Sequence, residues 1–454
     1  MGRARYQPDR AITCHATFLS WALSRPGIGN QMSFDSLVKS RIIAHIVGER
    51  RQMQRRAAFE RRRARRGAGH VVDYFHDMAD PYCHLTAQVL HRFQERYDIA
   101  LRPHLISGPP DWAAPDRAGL DAYARADAAR LAQRAGLSFP ATPVPPTAER
   151  LARARAQLAA SLTQPDFAQT AVALSNAVWQ GAAFPTAPET DPAEAMAQGD
   201  ARLAQQGHYL GATFCYGGEW YWGLDRLHYL ETRLRALGAA RPGAPTDLIF
   251  SPPDPDPQPA HHRGEVIEAF ISFRSPYSYL AFDRARDLAR ARGAEFRFRP
   301  VLPMVMRGLP VPRAKRLYII HDAAREARRL GLPFGRICDP LGLAVERGYA
   351  LIGYAREAGR LDDYASSFLR GVWAEGIDAR TDRGLARIVE RAGLDWDRAR
   401  PRLQSDAWRA EVEDNRNALS ALGLWGVPSF RVEDRAFWGQ DRLWLFDTDR
   451  AKGS

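Results

Sequence analysis

Cysteine is scarce in this sequence, and its spacing excludes several kinds of site. Among 454 residues there are four, Cys14, Cys83, Cys215 and Cys338, and no two of them form a C-x-x-C pair. The spacing matches neither a zinc site nor a dense disulfide framework. Scattered cysteines of this kind are typical of a reducing compartment. We therefore expect a cytoplasmic protein with no bound metal.

Long apolar runs are also absent. The sequence contains no uninterrupted apolar stretch of about 20 residues, the length that a membrane-spanning helix needs. The apolar stretch at residues 18–23 is short and leads into the segment SRPG at 24–27, which does not favour a secretory signal. No transmembrane segment is therefore expected.

The positive charge is unevenly distributed. The formal net charge is +12, and residues 1–66 contain 15 Lys and Arg but only 4 Asp and Glu. That segment carries nearly all of the excess, so residues 67–454 are close to neutral. A fold that binds nucleic acid would carry a basic surface of its own. The high isoelectric point belongs to the N-terminal segment, and no nucleic-acid partner is expected for the globular part.

The length of the chain predicts more than one domain, because single domains usually span about 100–200 residues. Residues 1–33 have little periodicity and are predicted to be disordered, with Met32 as an alternative start. Residues 34–66 are predicted to form one basic amphipathic helix. Two interpretations of this helix stay open. Its surface is either solvated or packed on a partner, or it binds an acidic membrane surface or nucleic acid.

A proline-rich linker is predicted at residues 238–264. Its segment SPPDPDP at 251–257 can sustain neither a helix nor a central strand. His261 and His262 stand near its end, and we interpret them as an exposed linker pair rather than a metal site.

Three short motifs occur once on each side of this linker, in the same order. The matching pairs are DPYC at 80–83 with SPYS at 275–278, RP at 102–103 with RP at 299–300, and WGLDRL at 222–227 with WGQDRL at 438–443. The predicted order of elements is strand, turn, helix, strand, long helical insert, β-hairpin and final helix. This is a thioredoxin fold with a helical insertion. The predicted fold class is α/β, with two tandem thioredoxin-like domains, the first copy at 67–237 and the second copy at 265–454.

Ser275 is the candidate catalytic residue of the second copy. It is predicted at the end of a strand and the start of a helix, among free backbone N–H groups and at the positive end of the helix dipole. Pro276 suits the first helical turn, so the position is suited to an anion. In thiol enzymes the same position lowers the pKa of a cysteine. A serine cannot form a disulfide, but it can donate a hydrogen bond to a thiolate brought by glutathione.

Two further elements of the second copy are candidates to hold a peptide-like thiol. The Val427–Pro428 bond lies between a small-residue turn and a β-run, where a cis bond is a candidate conformation. A cis bond exposes the backbone of the preceding residue, which can pair with an extended peptide such as glutathione. Gln440 and Asp441 stand at the head of the last helix. The Asp441 carboxylate has two interpretations, a helix cap and a contact to the α-amino group of a γ-glutamyl unit.

These motifs resemble a known family. SPYSYLA at 275–281, GVPSF at 426–430 and FWGQDRL at 437–443 are similar to the 2-hydroxychromene-2-carboxylate isomerases, relatives of the kappa-class glutathione transferases within the DsbA-like group. The resemblance covers residues 265–454. It implies that Ser275 activates glutathione, that Val427 and Pro428 hold its cysteinyl part, and that Gln440 and Asp441 lie near its γ-glutamyl part.

The resemblance also implies a reaction and a substrate class. A glutathione thiolate adds to a small aromatic or enone-type substrate, the former double bond rotates, and elimination returns the other isomer. The protein contributes position and charge stabilisation. Tyr277, Tyr318 and Trp425 are candidates for an aromatic substrate wall, and each also fits a core role. For Ser275 the simpler interpretation, a helix cap with no bound thiol, stays open.

The first copy departs from this pattern. Asp80 occupies the position of Ser275, and Ala212 occupies that of Pro428. Cys83 stands where DsbA-like proteins carry the second cysteine of C-x-x-C, and a single cysteine cannot cycle through an intradomain disulfide. We interpret this copy as a structural or regulatory half that imitates a subunit contact, so that the protein is a homodimer or an intramolecular pseudo-dimer.

Two other functions compete with the isomerase or transferase. The first is a thiol-disulfide oxidoreductase of the DsbA-like family, which the absence of C-x-x-C disfavours. The second is a non-catalytic thioredoxin-fold binding protein that docks through the helix at 34–66.

Overall fold

The computed structural model describes residues 32–253, 255 and 264–447. Most of the segment predicted to be disordered, 1–31, lies outside the described residues, as do Cys14 and the pair His261 and His262. Among the described residues, no helix is both long enough and apolar enough to cross a membrane.

The helices account for most of the described chain. In chain order they are α1 (Met32–Val47), α2 (Glu49–Arg65), α3 (Pro81–Arg96), α4 (Arg117–Ala135), α5 (Ala148–Ser161), α6 (Phe167–Gln180), α7 (Ala193–Gln206), α8 (Gly223–Ala236), α9 (Pro276–Ala291), α10 (Arg313–Arg329), α11 (Leu343–Ala350), α12 (Ile352–Glu357), α13 (Leu361–Ala374), α14 (Asp382–Arg391), α15 (Trp396–Ala399) and α16 (Trp408–Ala421). Short 3₁₀ helices cover Met304–Arg307, Arg400–Gln404 and Gln440–Asp447. The long helical insert predicted between the second strand and the hairpin is confirmed for the second copy, where α10 to α16 occupy it.

The chain divides into two compact units. One contains residues 32–48 and 324–408, and the regular elements described in it are all helices. The other contains residues 49–323 and 409–447. Both sheets and all five predicted site residues belong to this larger unit, which is therefore the one that concerns function.

The first sheet has four strands, β1 (His70–His76), β2 (Ile99–Leu105), β3 (Thr213–Tyr216) and β4 (Glu219–Trp222). Their order is β2-β1-β3-β4. β1 pairs with β2 in parallel. The pairs β1 with β3 and β3 with β4 are antiparallel. The parallel pair requires a crossover connection, and α3 supplies it.

The second sheet has the same arrangement. It contains β5 (Val266–Ile271), β6 (Glu295–Pro300), β7 (Ser429–Val432) and β8 (Arg435–Trp438). Their order is β6-β5-β7-β8, with β5 parallel to β6 and the other two pairings antiparallel. In both regions the predicted order of two strands followed by a β-hairpin is thereby confirmed.

Backbone hydrogen bonds repeat at matching places in the two sheets. The Gly223 N–H donates to the Ala212 carbonyl over 2.7 Å, and the Gly439 N–H donates to the Pro428 carbonyl over 2.9 Å. Each bond ties the start of an inner strand to the residue that follows its hairpin. The sequence motifs that match between the two regions therefore occupy equivalent positions in two sheets of equal topology.

Both faces of the first sheet are covered. Val72 and Tyr74 of β1 lie in the main core cluster, whereas Phe75 lies in a second cluster with Ile106 and Leu203. Successive side chains of a strand point to opposite faces, so helices pack on each side.

The prediction of a single helix over 34–66 is wrong in one respect, because the structure has two helices there. α1 ends at Val47 and α2 begins at Glu49, with a bend at Gly48. A side chain at Gly48 would place its Cβ 2.8 Å from the Ala44 carbonyl oxygen. Glycine permits this close approach, and its low helix propensity favours a break.

Candidate active site

Ser275 lies at the junction of β5 and α9. It is the N-cap residue of α9, with φ −98° and ψ 119°, and its hydroxyl accepts a hydrogen bond from the Ser278 N–H over 3.1 Å. Pro276 occupies the first helical turn, where its missing N–H leaves no bond unmade. Ser275 is half-buried. A polar hydroxyl therefore stands at the positive end of a helix of 16 residues.

The loop before β7 meets this hydroxyl. The Val427–Pro428 bond is cis, which agrees with the conformation considered for it from the sequence. The Ser275 hydroxyl donates to the Val427 carbonyl oxygen over 3.2 Å. Of the predicted glutathione-site residues, Ser275, Val427 and Pro428 are therefore brought together, although they are separated by about 150 residues in the sequence.

A second serine, Ser278, binds the backbone at the end of β5. The Ser272 N–H donates to the hydroxyl of Ser278 over 3.3 Å, and Ser278 is fully buried. Ser275 and Ser278 are the two positions that correspond to Asp80 and Cys83 in the first sheet. Neither position beside the start of α9 therefore carries a thiol.

A glycine and two tryptophans shape the approach to Val427. An added Cβ at Gly426 would overlap the indole ring of Trp438. Trp425 packs edge-on against the same ring, with ring centroids 5.0 Å apart. Tyr123 of α4 uses its hydroxyl to bridge the backbone of Trp438, with 2.9 Å to its carbonyl oxygen and 2.9 Å to its N–H.

Gln440 contacts α9 through Arg284. Arg284 donates through Nη1 to the side-chain oxygen of Gln440 over 2.9 Å and to its carbonyl oxygen over 3.2 Å. Arg284 stands nine residues beyond Ser275, about 13 Å along the helix axis. Gln440 is also almost fully buried. The Gln440 side chain therefore helps to hold the last helix against α9.

Asp441 takes part in an ion pair that the sequence did not predict. The Arg226 Nη1 donates to its Oδ2 over 2.9 Å. Burial alone would raise the pKa of Asp441, but Arg226 and Arg442 hold it below its ordinary value. The carboxylate is thus kept charged, and 23% of its side-chain surface stays exposed. A backbone hydrogen bond from Asp441 itself also lowers the pKa of this carboxylate.

Arg226 and Arg442 form a reciprocal pair of contacts between the two sheet regions. Arg226 of α8 binds Asp322 of α10 through Nε and Nη2, over 2.9 to 3.1 Å, as well as Asp441. Arg442 binds Asp127 of α4 over 2.8 Å and Asp225 over 2.9 Å.

The tyrosines of the DPYC and SPYS motifs bind two of these aspartates. The hydroxyl of Tyr82 donates to Asp127 over 2.7 Å, and that of Tyr277 donates to Asp322 over 2.8 Å. Tyr277 therefore has a polar structural partner, which the interpretation as a substrate wall did not include. We call the two arginines, four aspartates and two tyrosines the reciprocal arginine network: Arg226, Arg442, Asp127, Asp225, Asp322, Asp441, Tyr82 and Tyr277.

The sequence carried a signal for this network. The dipeptide Asp-Arg occurs at 225–226 and at 441–442, and Tyr-x-x-x-Asp occurs at 123–127 and at 318–322. The first pattern is part of the repeated motif at 222–227 and 438–443, whereas the second lies outside the repeated motifs. Neither pattern states that each arginine binds carboxylates of the other region, because that pairing depends on how the two sheets pack.

The first sheet has a different group at the position of Ser275. Asp80 is the N-cap of α3, and its carboxylate accepts from the Tyr82 N–H over 2.9 Å. Burial, with a smaller effect of the Asp77 charge, raises the pKa of Asp80 from 3.8 to about 7. Burial likewise raises the pKa of Asp77 to about 6. These acids are poor hosts for a thiolate.

Cys83 is held as a thiol inside this junction. Its sulfur accepts from the Ala212 N–H over 2.8 Å and from the Asp77 N–H over 3.2 Å. Burial, followed by the charges of Asp80 and Asp77, raises the pKa of the thiol well above its ordinary value. Among the described residues, Cys83, Cys215 and Cys338 are all free and buried. A redox-active cysteine needs surroundings that lower its pKa, and the described residues around Cys83 raise it instead.

Comparison with known proteins bears on the second sheet region. Residues 266–449 match the family model of the DSBA-like thioredoxin domain. The 2-hydroxychromene-2-carboxylate isomerase of Sphingobium xenophagum is 29% identical over 189 residues, which cover 39% of this chain and 94% of the relative. The isomerase of the same name from Pseudomonas putida is 25% identical over 191 residues, 40% of this chain and 93% of the relative.

A solved structure is also similar to this segment. It is a 2-hydroxychromene-2-carboxylate isomerase that is 25% identical, covers 40% of this chain and 92% of its own, and has a TM-score of 0.35. The family resemblance stated from the motifs is confirmed for the second sheet region. All five predicted site residues lie inside the matched segment, whereas Arg226, Asp127 and Asp225 lie outside it.

Proposed function

We propose that this chain is a glutathione-dependent isomerase or transferase, on the premise that residues 266–449 are a DSBA-like thioredoxin domain related to 2-hydroxychromene-2-carboxylate isomerases. In this proposal Ser275 donates a hydrogen bond to the thiolate of bound glutathione, and the substrate is a small aromatic or enone-type compound. The observation that carries the proposal is the Ser275 hydroxyl at the N-terminus of α9, 3.2 Å from the Val427 carbonyl oxygen.

The proposal assigns an exchange of hydrogen bonds to Val427. The Ser275 hydroxyl donates to the Val427 carbonyl oxygen over 3.2 Å. When the cysteinyl N–H of glutathione pairs with that carbonyl in the manner of an added strand, the hydroxyl is released to donate to the sulfur. The N–H from Ser278 continues to orient the hydroxyl oxygen. Peptide binding and thiolate stabilisation are thereby coupled.

The reaction that follows is an addition, a rotation and an elimination. The thiolate forms a bond to the β-carbon of the conjugated enone, and the electron pair of its double bond moves to the carbonyl oxygen. Rotation about the new single bond precedes the return of that electron pair, which expels the thiolate unchanged. The protein contributes by holding the thiolate close to the substrate and by stabilising its charge.

We further propose that the first sheet region is a degenerate second copy of the domain, so that the chain is an intramolecular pseudo-dimer. The equal strand order, the matching backbone hydrogen bonds and the reciprocal arginine network support this. Asp80 and the buried thiol of Cys83 remove a thiolate site from this copy. The division at 67–237, 238–264 and 265–454 belongs to the same proposal, as does the cytoplasmic location.

The disulfide oxidoreductase alternative loses support at the same positions. The second domain carries serines at 275 and 278, and the first copy offers one buried thiol of raised pKa. A thiol-disulfide exchange needs an accessible thiolate, which the described part of the chain does not provide at either junction.

The test is calorimetric titration of glutathione into the full chain and into its Ser275→Ala variant. We expect affinity to fall about tenfold or more, which corresponds to about 1.4 kcal/mol. The matched control is Asp80→Ala, which removes the helix cap at the equivalent position of the first copy and should leave glutathione affinity within about twofold. Turnover of 2-hydroxychromene-2-carboxylate with glutathione is then assayed for all three proteins. Absence of glutathione binding by the unaltered chain would contradict the proposed function.

A further inference from the structure

We propose that Arg226, a residue of the first copy, is a positioning residue for the glutathione site of the second copy. It fixes the spacing between the thiolate end of that site, at Ser275, and its γ-glutamyl end, at Asp441. This inference rests on the proposed function and adds a residue that lies outside the segment matched by the family model.

The first step is the contact with Asp441. The Arg226 Nη1 donates to Oδ2 of Asp441 over 2.9 Å, so one carboxylate oxygen is fixed by the arginine. The Asp441 side chain stays 23% exposed, whereas that of Arg226 is only 6% exposed. A buried, rigid cation thus orients a carboxylate that is still open to a ligand. A ligand ammonium group, such as that of a γ-glutamyl unit, is the complementary partner.

The second step connects the same arginine to the helix that begins at Ser275. Arg226 holds Asp322 through Nε and Nη2, in the two-pronged geometry that makes arginine–carboxylate pairs specific. Asp322, whose side chain is 1% exposed, also accepts from the hydroxyl of Tyr277 over 2.8 Å. Tyr277 is two residues beyond Ser275. A continuous series of bonds therefore runs from the first turn of α9 through Arg226 to Asp441.

The third step is the behaviour expected without the arginine. A buried charge left without its partner is strongly destabilising. Loss of Arg226 leaves Asp322 and Asp441 close together, so Asp441 is expected to turn toward solvent. Its orientation toward a γ-glutamyl group would then be lost, while the Ser275 hydroxyl and the Val427 carbonyl would remain in place.

The mirror half of the reciprocal arginine network supplies a matched control. Arg442 binds Asp127 through Nε and Nη2, as Arg226 binds Asp322, and Tyr82 donates to Asp127 as Tyr277 donates to Asp322. This half binds the tyrosine of the degenerate junction, and its arginine approaches Asp441 only as a longer ion pair of 3.9 Å, whereas Arg226 binds Asp441 directly. Equivalent substitutions in the two halves therefore disturb packing alike, but they should differ in their effect on glutathione.

The experiment measures the affinity of the full chain for two thiols, glutathione and cysteinylglycine, which lacks the γ-glutamyl unit. Asp322→Asn and Arg226→Gln should each weaken glutathione binding about tenfold and leave cysteinylglycine binding within about twofold. Arg226→Lys keeps a cation near Asp441 and should restore part of the glutathione affinity. Asp127→Asn should lower the melting temperature as much as Asp322→Asn but should not change the preference between the two thiols.

Two results would overturn the inference. An equal loss of affinity for both thiols in Asp322→Asn and Arg226→Gln would show a general structural effect. Unchanged affinity for both would show that Arg226 does not act on the site. In both cases the unaltered chain still binds glutathione, so the result contradicts this inference and not the proposed function. An unaltered chain that binds neither thiol would remove the proposed function and this inference together.

Discussion

At the scale of single residues, small differences in side chain decide what each sheet region can do. The strand-to-helix junction is built in the same way twice, with a capping oxygen at Asp80 in one region and at Ser275 in the other. A hydroxyl can both donate and accept, whereas an ionised carboxylate can only accept. Above its pKa of about 7 the Asp80 side chain is a negatively charged acceptor, whereas the Ser275 hydroxyl is uncharged and keeps a proton to donate.

The junction at Asp80 is expected to make stability depend on pH. Because the folded pKa is raised to about 7 from 3.8, the folded chain holds a proton that the unfolded chain has lost between these values, and stability falls as pH rises through this window. In Asp80→Asn the amide keeps the cap and does not titrate. We therefore expect the difference in free energy of unfolding, variant minus unaltered chain, to be more positive at pH 8 than at pH 5. The change should be on the order of a few kcal/mol.

The measurement is urea unfolding at both pH values for the unaltered chain and for Asp80→Asn. A free energy difference that does not change between pH 5 and pH 8 would show that Asp80 titrates normally. The exposed Asp111, substituted by Asn in the same way, serves as the control and should show no such dependence.

Gly426 is a second residue whose identity matters. Gly426→Ala should destabilise the larger unit by about 2–3 kcal/mol, because the new methyl group overlaps the Trp438 ring and overpacking of this kind is costly. Thermal unfolding measures the effect. Gly353→Ala is the control, since an added Cβ there meets no atom within 4 Å and alanine favours the helix. Equal behaviour of the two variants would contradict the prediction.

At the scale of elements, α2 shows how a charged helix is fixed to a sheet. Arg56 binds Glu219 of β4 through two hydrogen bonds of 2.7 and 2.6 Å, and Phe59 packs edge-on against Tyr216 of β3, with centroids 5.4 Å apart. One face of the basic helix is thus packed within its own chain. Of the two interpretations left open by the sequence, this packing supports the first for that face.

The charge of Glu219 is expected to hold α2 in place. Burial opposes its ionisation, but Arg56 and further donors lower its pKa to about 2. Glu219→Gln should therefore loosen the helix by about 1–3 kcal/mol, seen as faster amide hydrogen exchange across 49–65. Arg61→Ala, at an exposed position of the same helix, should leave the exchange unchanged. Unaltered exchange in Glu219→Gln would contradict a fixing role for this ion pair.

At the scale of the whole molecule, charge burial distinguishes the network between the two regions from the many surface ion pairs. The side chains of Arg442 and Asp127 are 5% and 2% exposed, whereas those of Arg402 and Glu357 are 53% and 60% exposed. A double-mutant cycle should give a coupling energy of about 2–3 kcal/mol for the first pair. The second should give less than about 1 kcal/mol.

The cycle is measured by chemical unfolding at low and high salt. Salt screens exposed charges far more than buried ones, so the Arg442–Asp127 coupling should persist at 1 M salt while the Arg402–Glu357 coupling disappears. Comparable coupling energies for both pairs at high salt would contradict the distinction.

The sequence by itself determined the local elements of this protein. Alternating and continuous apolar runs specify the strands, because side-chain direction follows the backbone period. Capping residues and Pro276 specify where α9 begins. The repeated motifs indicated two regions of one topology, and the motifs around Ser275 and Pro428 indicated the family. Each of these signals is encoded within a few neighbouring residues.

Only the tertiary structure decided which distant groups meet. The break at Gly48 depends on a close backbone contact, and the pKa of Asp80 depends on burial that local sequence does not encode. The pairing of Arg226 with Asp322 and Asp441 joins residues 96 and 215 positions apart. Such pairs form because packing removes water from opposite charges and leaves each one dependent on its partner, and no local pattern specifies that choice.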